Sequence, residues 1–153
     1  MYGKISAIEE VTDLVTRPVG IDENYIGFAQ AMSVLCGYTK MDGYKVTTDK
    51  TEIMVMITNG QQCCEDWGYF SSDDNLDGYI AADLLKIELT DTALNKKVVE
   101  NSGYHEGGGG IQFVDFVTSK GAFQLAVYNA HNGYYGHGIV VTINGDVIHE
   151  DSL

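Results

Sequence analysis

Apolar and polar residues alternate with a period near two over much of this chain, and the runs are short. Residues 3–16, GKISAIEEVTDLVT, alternate loosely and predict a first strand or a short helix, closed by Arg17-Pro18. From Asp22 the pattern changes: DENYIGFAQAMSVLCG opens on a capping residue, carries acids in its first turn and spaces Ile26, Ala29 and Met32 along one face before Gly37. This predicts a helix over 23–36. The stretch YKVTTDKTEIMVMITNG predicts two β-branched strands, 44–48 and 52–58, joined at Asp49-Lys50. Ile87 and Leu89 favour a strand over 84–90. In the last third IQFVDFVTS, AFQLAVYNA and GIVVTING are apolar runs separated by Lys120-Gly121, Asn132-Gly133 and Asn144-Gly145, with DVIHE after them. Strands punctuated by such two-residue turns predict an antiparallel meander.

These elements imply an α+β fold: a β-rich antiparallel meander with one main helix near the N-terminus. The expected organisation is a single domain over 1–153, with residues 1–43 a helix-containing extension and 44–153 the β-rich core. The chain has no internal repeat, and at 153 residues one core is the default.

Charge narrows the partners. With 22 acids against 9 Lys and Arg, the formal net charge is −13, so the basic footprint that nucleic acid requires is missing. Neither a membrane-length apolar run nor a signal-peptide pattern is present, and the reading is cytoplasmic. Cys36, Cys63 and Cys64 are an odd set containing an adjacent pair, which favours reduced thiols.

Candidate chemistry is thin. Asp73, Asn75, Asp77 and Gly78 fit the first positions of a calcium loop, but the bidentate Glu expected at position 12 is Leu84, so a turn of self-bonding Asx residues is the simpler reading. Cys63 and Cys64 are too close to ligate one zinc as in a finger or ribbon, although one cysteine with His131 or His137 could contribute to a mixed site. Glu65 and Asp66 oppose a thiolate there. No triad context appears, and HEGGGG lacks the lysine and hydroxyl of a phosphate loop. No catalytic residue, metal ligand or cofactor is assigned.

The densest cluster is YNAHNGYYGHG at 128–138. A bare hairpin tip would have small polar flanks, whereas here Asn129, His131, Asn132, Tyr134, Tyr135 and His137 combine flat rings with amide and imidazole groups. That set suits a purine or a sugar, and Trp67, with Tyr69 and Phe70, is the candidate opposite wall. A tyrosine-rich segment that only packs is the competing interpretation.

Cys63-Cys64-Glu65, then Thr118-Ser119-Lys120-Gly121, then Asn132-Gly133-Tyr134-Tyr135 resemble a family of small phage and prophage proteins with Cys-Cys-Glu and Asn-Gly-Tyr-Tyr motifs, identified with the anti-Thoeris sponges. The likeness spans roughly 46–143. It implies a non-enzymatic anti-defence protein that sequesters a cyclic ADP-ribose-type nucleotide made by TIR-domain enzymes. It further implies a homo-oligomer in the infected bacterial cytoplasm, with Asn132, Tyr134 and Tyr135 near the pocket. Arginines that such proteins place on the strand after the tyrosines are absent from GIVVTINGDVIHE, so His137, His149, Lys120, Arg17 or backbone amides would have to meet phosphate. The charge also supports a second expectation of a different class, an acidic nucleic-acid mimic that inhibits a basic host or defence enzyme, presenting Asp73, Asp74, Asp77, Asp83 and Glu88 as one surface.

Overall fold

The structure is a computed structural model that describes residues 2–16, 39–60, 66–102, 108–131 and 137–153. Nine strands dominate it: β1 (Gly3–Thr16), β2 (Thr39–Thr48), β3 (Glu52–Thr58), β4 (Asp66–Ser71), β5 (Asp83–Thr90), β6 (Gly108–Thr118), β7 (Gly121–His131), β8 (Gly138–Ile143) and β9 (Asp146–Ser152). Every pairing among them is antiparallel, in the order β4-β7-β6-β5-β1-β2-β3-β8-β9.

The expected α+β class is therefore wrong, and the fold is essentially all-β. Among the described residues the only helices are a 3-10 turn, Asp77–Tyr79, and α1, Lys96–Asn101. Six residues cannot bury an apolar stripe of their own, so α1 is a connector capped by Asn95. The helix expected over 23–36 lies outside the described residues. The stretch expected as an N-terminal extension supplies β1, which sits in the middle of the sheet order.

The sheet turns a corner at β1. Gly3 and Lys4 pair with Leu84 and Asp83 of β5, whereas residues 5–16 pair with β2. The corner folds one half (β4, β7, β6, β5) over the other (β2, β3, β8, β9), so that β3 meets β7 and β2 meets β4. Strict alternation decides which side chains enter between the halves. Tyr44 and Val46, Ile53, Val55 and Ile57, Val114 and Phe116, Phe123, Leu125 and Val127, and Ile139 and Val141 all point inward. Phe116 and Phe123 stack with centroids 4.9 Å apart, at the centre of this core.

Both outer faces are also partly apolar, which is why several strands read as continuous hydrophobic runs. On one half Met41, Met56 and Val140 form a second cluster with Val11, Leu14 and Met54. On the other, Phe70, Phe113 and Tyr128 pack together, and the β5–β6 connection is tied to the same face. There the buried Gln124 amide donates to the Thr92 carbonyl at 2.9 Å and accepts from the Leu94 N–H at 2.9 Å.

The meander fails at one point. The β2–β3, β6–β7 and β8–β9 hairpins form at the expected turns, and Asn144 and Gly145 both take positive φ, as a tight Asn-Gly turn requires. β7 and β8 do not pair with each other: β7 lies between β4 and β6, and β8 lies between β3 and β9. β7 and β8 thus form no hairpin with each other and belong to different halves of the sheet; Asn132-Gly133 lies outside the described residues. Alternation marked most of the strands, though not β4, for which no element was expected, and left β1 open; it carries no information on which strands become neighbours.

Candidate functional site

The direction of each strand places the tight turns 49–50, 119–120 and 144–145 at one pole. At the opposite pole β1, β3, β7 and β9 end and β2, β4, β6 and β8 begin. Three of the residues expected to bind ligand come together there. Trp67 of β4 stands opposite Asn129 of β7, and Asn129 in turn stands opposite Gly110 of β6. From the other half His137, the residue before β8, stacks on Trp67 with ring centroids 5.3 Å apart and planes 24° apart.

Hydrogen bonds hold this group in place. The Asn129 side chain is wholly buried and donates through Nδ2 to the Leu153 carbonyl at 3.0 Å. The His137 N–H donates to the same carbonyl at 3.0 Å, and the Leu153 N–H returns a bond to the His137 carbonyl at 2.9 Å. Nδ1 of His137 contacts the Thr58 carbonyl and lies 3.2 Å from its hydroxyl. A carbonyl can only accept, so the geometry requires the proton on Nδ1. The imidazole is thereby fixed as a flat plate against the indole. Trp67 Nε1 is shut off from water and has no hydrogen-bond partner among the described residues. An orphaned buried donor is rare in native proteins and costs about 1–3 kcal/mol.

Beside this pair lies a more acidic wall. Tyr69 shares the inner face of β4 with Trp67 and meets Tyr44 of β2 edge to face at 5.3 Å. Burial, with Glu10 nearby, pushes the Tyr44 hydroxyl up to about 12, although a hydrogen bond with Ser71 acts in the other direction. Burial, then Glu10 and Asp42, raises Tyr69 as well. Asp42 also anchors the neighbouring bulge: its carboxylate accepts from the Asp13 N–H at 2.8 Å and from Asn59 Nδ2 at 2.9 Å, and Asn59 donates in addition to Asp13 at 2.7 Å.

The raised tyrosines make stability depend on alkaline pH. An unfolded chain loses the Tyr44 proton near 10, whereas the folded protein keeps it to about 12, so the folded state binds more protons across that window. This contribution is intact below pH 10 and is lost as pH rises toward 12. Allowing for screening by nearby solvent, Tyr44 accounts for about 1–2 kcal/mol of that loss. Denaturant midpoints measured from pH 9 to 12 are expected to fall more steeply for wild type than for Tyr44→Phe; parallel curves would show that the hydroxyl is not sheltered.

The structure separates other residues that the sequence had grouped. Phe70 follows Tyr69 on the opposite face and packs against Tyr128 and Phe113, so it is no wall of this site. Gly68 leaves room for the same Tyr128 ring, whose hydroxyl would lie 2.7 Å from any Cβ there. His131 closes β7 opposite Gly108, and its side chain lies outside the described part. Asn132, Tyr134, Tyr135, Cys36, Cys63, Cys64 and Arg17 lie outside the described residues. Lys120 is at the turn pole, donating to the Ile80 carbonyl at 3.0 Å, and cannot meet a ligand held by Trp67. Asp73 is turned inward to the Tyr79 and Ser72 hydroxyls, and the Asp77 N–H bonds Asn75 Oδ1, the Asx turn that the failed calcium pattern suggested. Among the described residues no three His, Cys, Asp or Glu side chains gather as for a metal.

Sequence reading missed Tyr44, Thr58 and the main-chain oxygen of Leu153. It had grouped Tyr69 with Trp67, and their period-two spacing on β4 puts both on one face.

Fold and site together define an all-antiparallel β protein whose two sheet halves close at one pole on a stacked indole and imidazole. Residues 4–141 match the family described as Domain of unknown function (DUF7448), and the chain belongs to that family. Neither a curated protein nor a solved structure matches it. Among the described residues no helix is long and apolar enough to cross a membrane.

Proposed function

We propose that this protein binds a small planar ligand without transforming it, and that the ligand is a nucleotide of the cyclic ADP-ribose type, sequestered during phage infection. The observation that carries this reading is Trp67: a ring stacked on His137, with a buried indole N–H left for a ligand acceptor, at the pole where β7 ends and β8 begins. By sequence, the Asn-Gly-Tyr-Tyr motif is the link between those two strands. Base stacking on an aromatic ring contributes about 1–3 kcal/mol per base, and hydrogen bonds to ribose add to it. A net charge of −13, with Glu10 and Asp42 beside Tyr69, favours the neutral base and sugar over the pyrophosphate at this wall.

The only tryptophan of the chain is in the site, which makes the test direct. On mixing with the products of a TIR-domain NAD-cleaving enzyme, native mass spectrometry is expected to show an added ADP-ribose isomer recoverable intact after heating, together with a change in indole fluorescence. Trp67→Phe keeps a ring but removes the donor; it is expected to retain the wild-type melting temperature or exceed it, while binding weakens about tenfold or more. Neither mass shift nor fluorescence change would end this reading.

The charge-mimic alternative has less support in the geometry. Asp83 lies 3.4 Å from Lys4 and Glu88 3.0 Å from Lys86, while Asp73 is engaged internally, so the five carboxylates do not form an uninterrupted acidic row.

A further inference from the structure

Among the described residues, β5 has one edge with no strand beside most of it. Its residues 86–90 pair with β6 on one side, but β1 reaches only Asp83 and Leu84 on the other, and no described strand continues beside the rest. That edge is exposed and partly apolar: Leu85 is 46% and Leu89 36% accessible, and the Lys86 and Glu88 side chains are more than half so. Unprotected edges of this kind recruit another strand, and the sequence of the recruiting strand shows which one fits.

Leu85-Lys86-Ile87-Glu88-Leu89 is self-complementary under a two-fold axis. Set antiparallel to a second copy with the axis through Ile87, it places Lys86 opposite Glu88 twice, Ile87 against itself, and Leu89 beside the bulged Leu85. Directly opposite residues share a face, and both charged pairs fall on the outer one. There Glu88 already stands opposite Asp115 of β6, two carboxylates in a row that ends in solvent. The incoming lysine completes that row. Shifting the axis to residue 86 or 88 would oppose Lys to Lys or Glu to Glu instead.

We propose that two copies of this chain associate through residues 85–89 of β5, extending the β4-β7-β6-β5 half into one continuous sheet across an isologous dimer. The interface does not depend on the ligand-binding reading, because the site is at the strand pole and the seam is along a sheet edge.

A charge-swap cycle tests it. By sedimentation velocity across a dilution series up to about 100 μM, wild type is expected to show a reversible monomer–dimer equilibrium. Lys86→Glu and Glu88→Lys are each expected to weaken it about tenfold or more, since each sets like charges opposite one another twice. The double variant restores the opposite-charge pairs and with them the dimer, while all three keep the wild-type melting temperature, because the exposed Lys86–Glu88 pair contributes little within one copy. A wild type monomeric throughout would overturn the proposal. So would a dimer indifferent to either single change, or one that the double variant fails to recover.

Discussion

Gly43→Ala is expected to cost about 3 kcal/mol or more and to lower the melting temperature by about 10 °C, if the variant accumulates as folded protein at all. Gly43 lies inside β2, opposite Val11 of β1 and Met56 of β3, with φ at +155°. A Cβ at that position would run into the Val55 carbonyl and come within 3.0 Å of Met56 Cα. Both obstacles are backbone of a paired strand, so they cannot rotate away as a side-chain tip would. Relief would require β2 and β3 to separate where the core residues Tyr44 and Val55 face each other in register. Gly60→Ala is the control, since a Cβ there meets nothing within 4 Å, and its effect is expected to stay within about 0.5 kcal/mol. Equal melting temperatures for the two variants would show that β2 and β3 do not approach as closely as described.

The same residue explains part of what the sequence concealed. TKMDGYKVTT reads as a strand beginning only at Tyr44, because aspartate and glycine at 42–43 look like a turn. In the protein Asp42 is held by Asp13 and Asn59, and Gly43 is where the β3 backbone crowds β2, so the strand runs on from Thr39. Tertiary contacts override local preference at both positions. β3 was legible from its β-branched residues, β5 from the period-two spacing of Ile87 and Leu89, and the Asn144-Gly145 turn from residues that accept positive φ. The class was misjudged because one expected helix was set on a par with a sheet whose described part alone holds nine strands, while β1 was left between strand and helix. Its alternation is interrupted by register shifts near Ser6 and at Thr12-Asp13, each of which moves later side chains to the other face.

The site was legible in its residue types and illegible in its assembly. Asn129, His137 and Trp67 were all suspect, since a histidine and an amide among tyrosines, and a lone tryptophan, are expensive to place without purpose. Only the placement of β8 in the half opposite β7 brings His137 onto the indole. Nothing in the local pattern distinguishes that placement from a β7–β8 hairpin. Thr58 and Leu153 contribute carbonyl groups, which any residue has, and so no side-chain motif could have flagged them.

Asn129→Asp is the exchange that asks most of this assembly, because it changes almost no volume and reverses the hydrogen-bond polarity at a wholly buried position. The amide donates to the main-chain oxygen of Leu153; an ionised carboxylate can only accept, so it would set a buried negative charge against that oxygen in place of a donor. Breaking a buried polar pair in this way costs about 3 kcal/mol or more at neutral pH. Protonation offers an escape, since a neutral carboxyl can donate as the amide does, and burial favours the neutral form. The pKa of the introduced group is therefore raised in the folded state relative to the unfolded chain. With that sign, the folded variant holds the extra proton, its stability is best below the ordinary carboxylate range, and stability is lost as pH rises through the raised value, by at most about 1.4 kcal/mol per pH unit. Urea midpoints at acidic and neutral pH, each taken as the difference from wild type so that the acidity of the whole chain cancels, are expected to converge at low pH and diverge toward neutrality. A variant that tracks wild type at every pH would place the Asn129 side chain in water, and the stacked Trp67 and His137 would then rest on a hydrated floor rather than a fixed one.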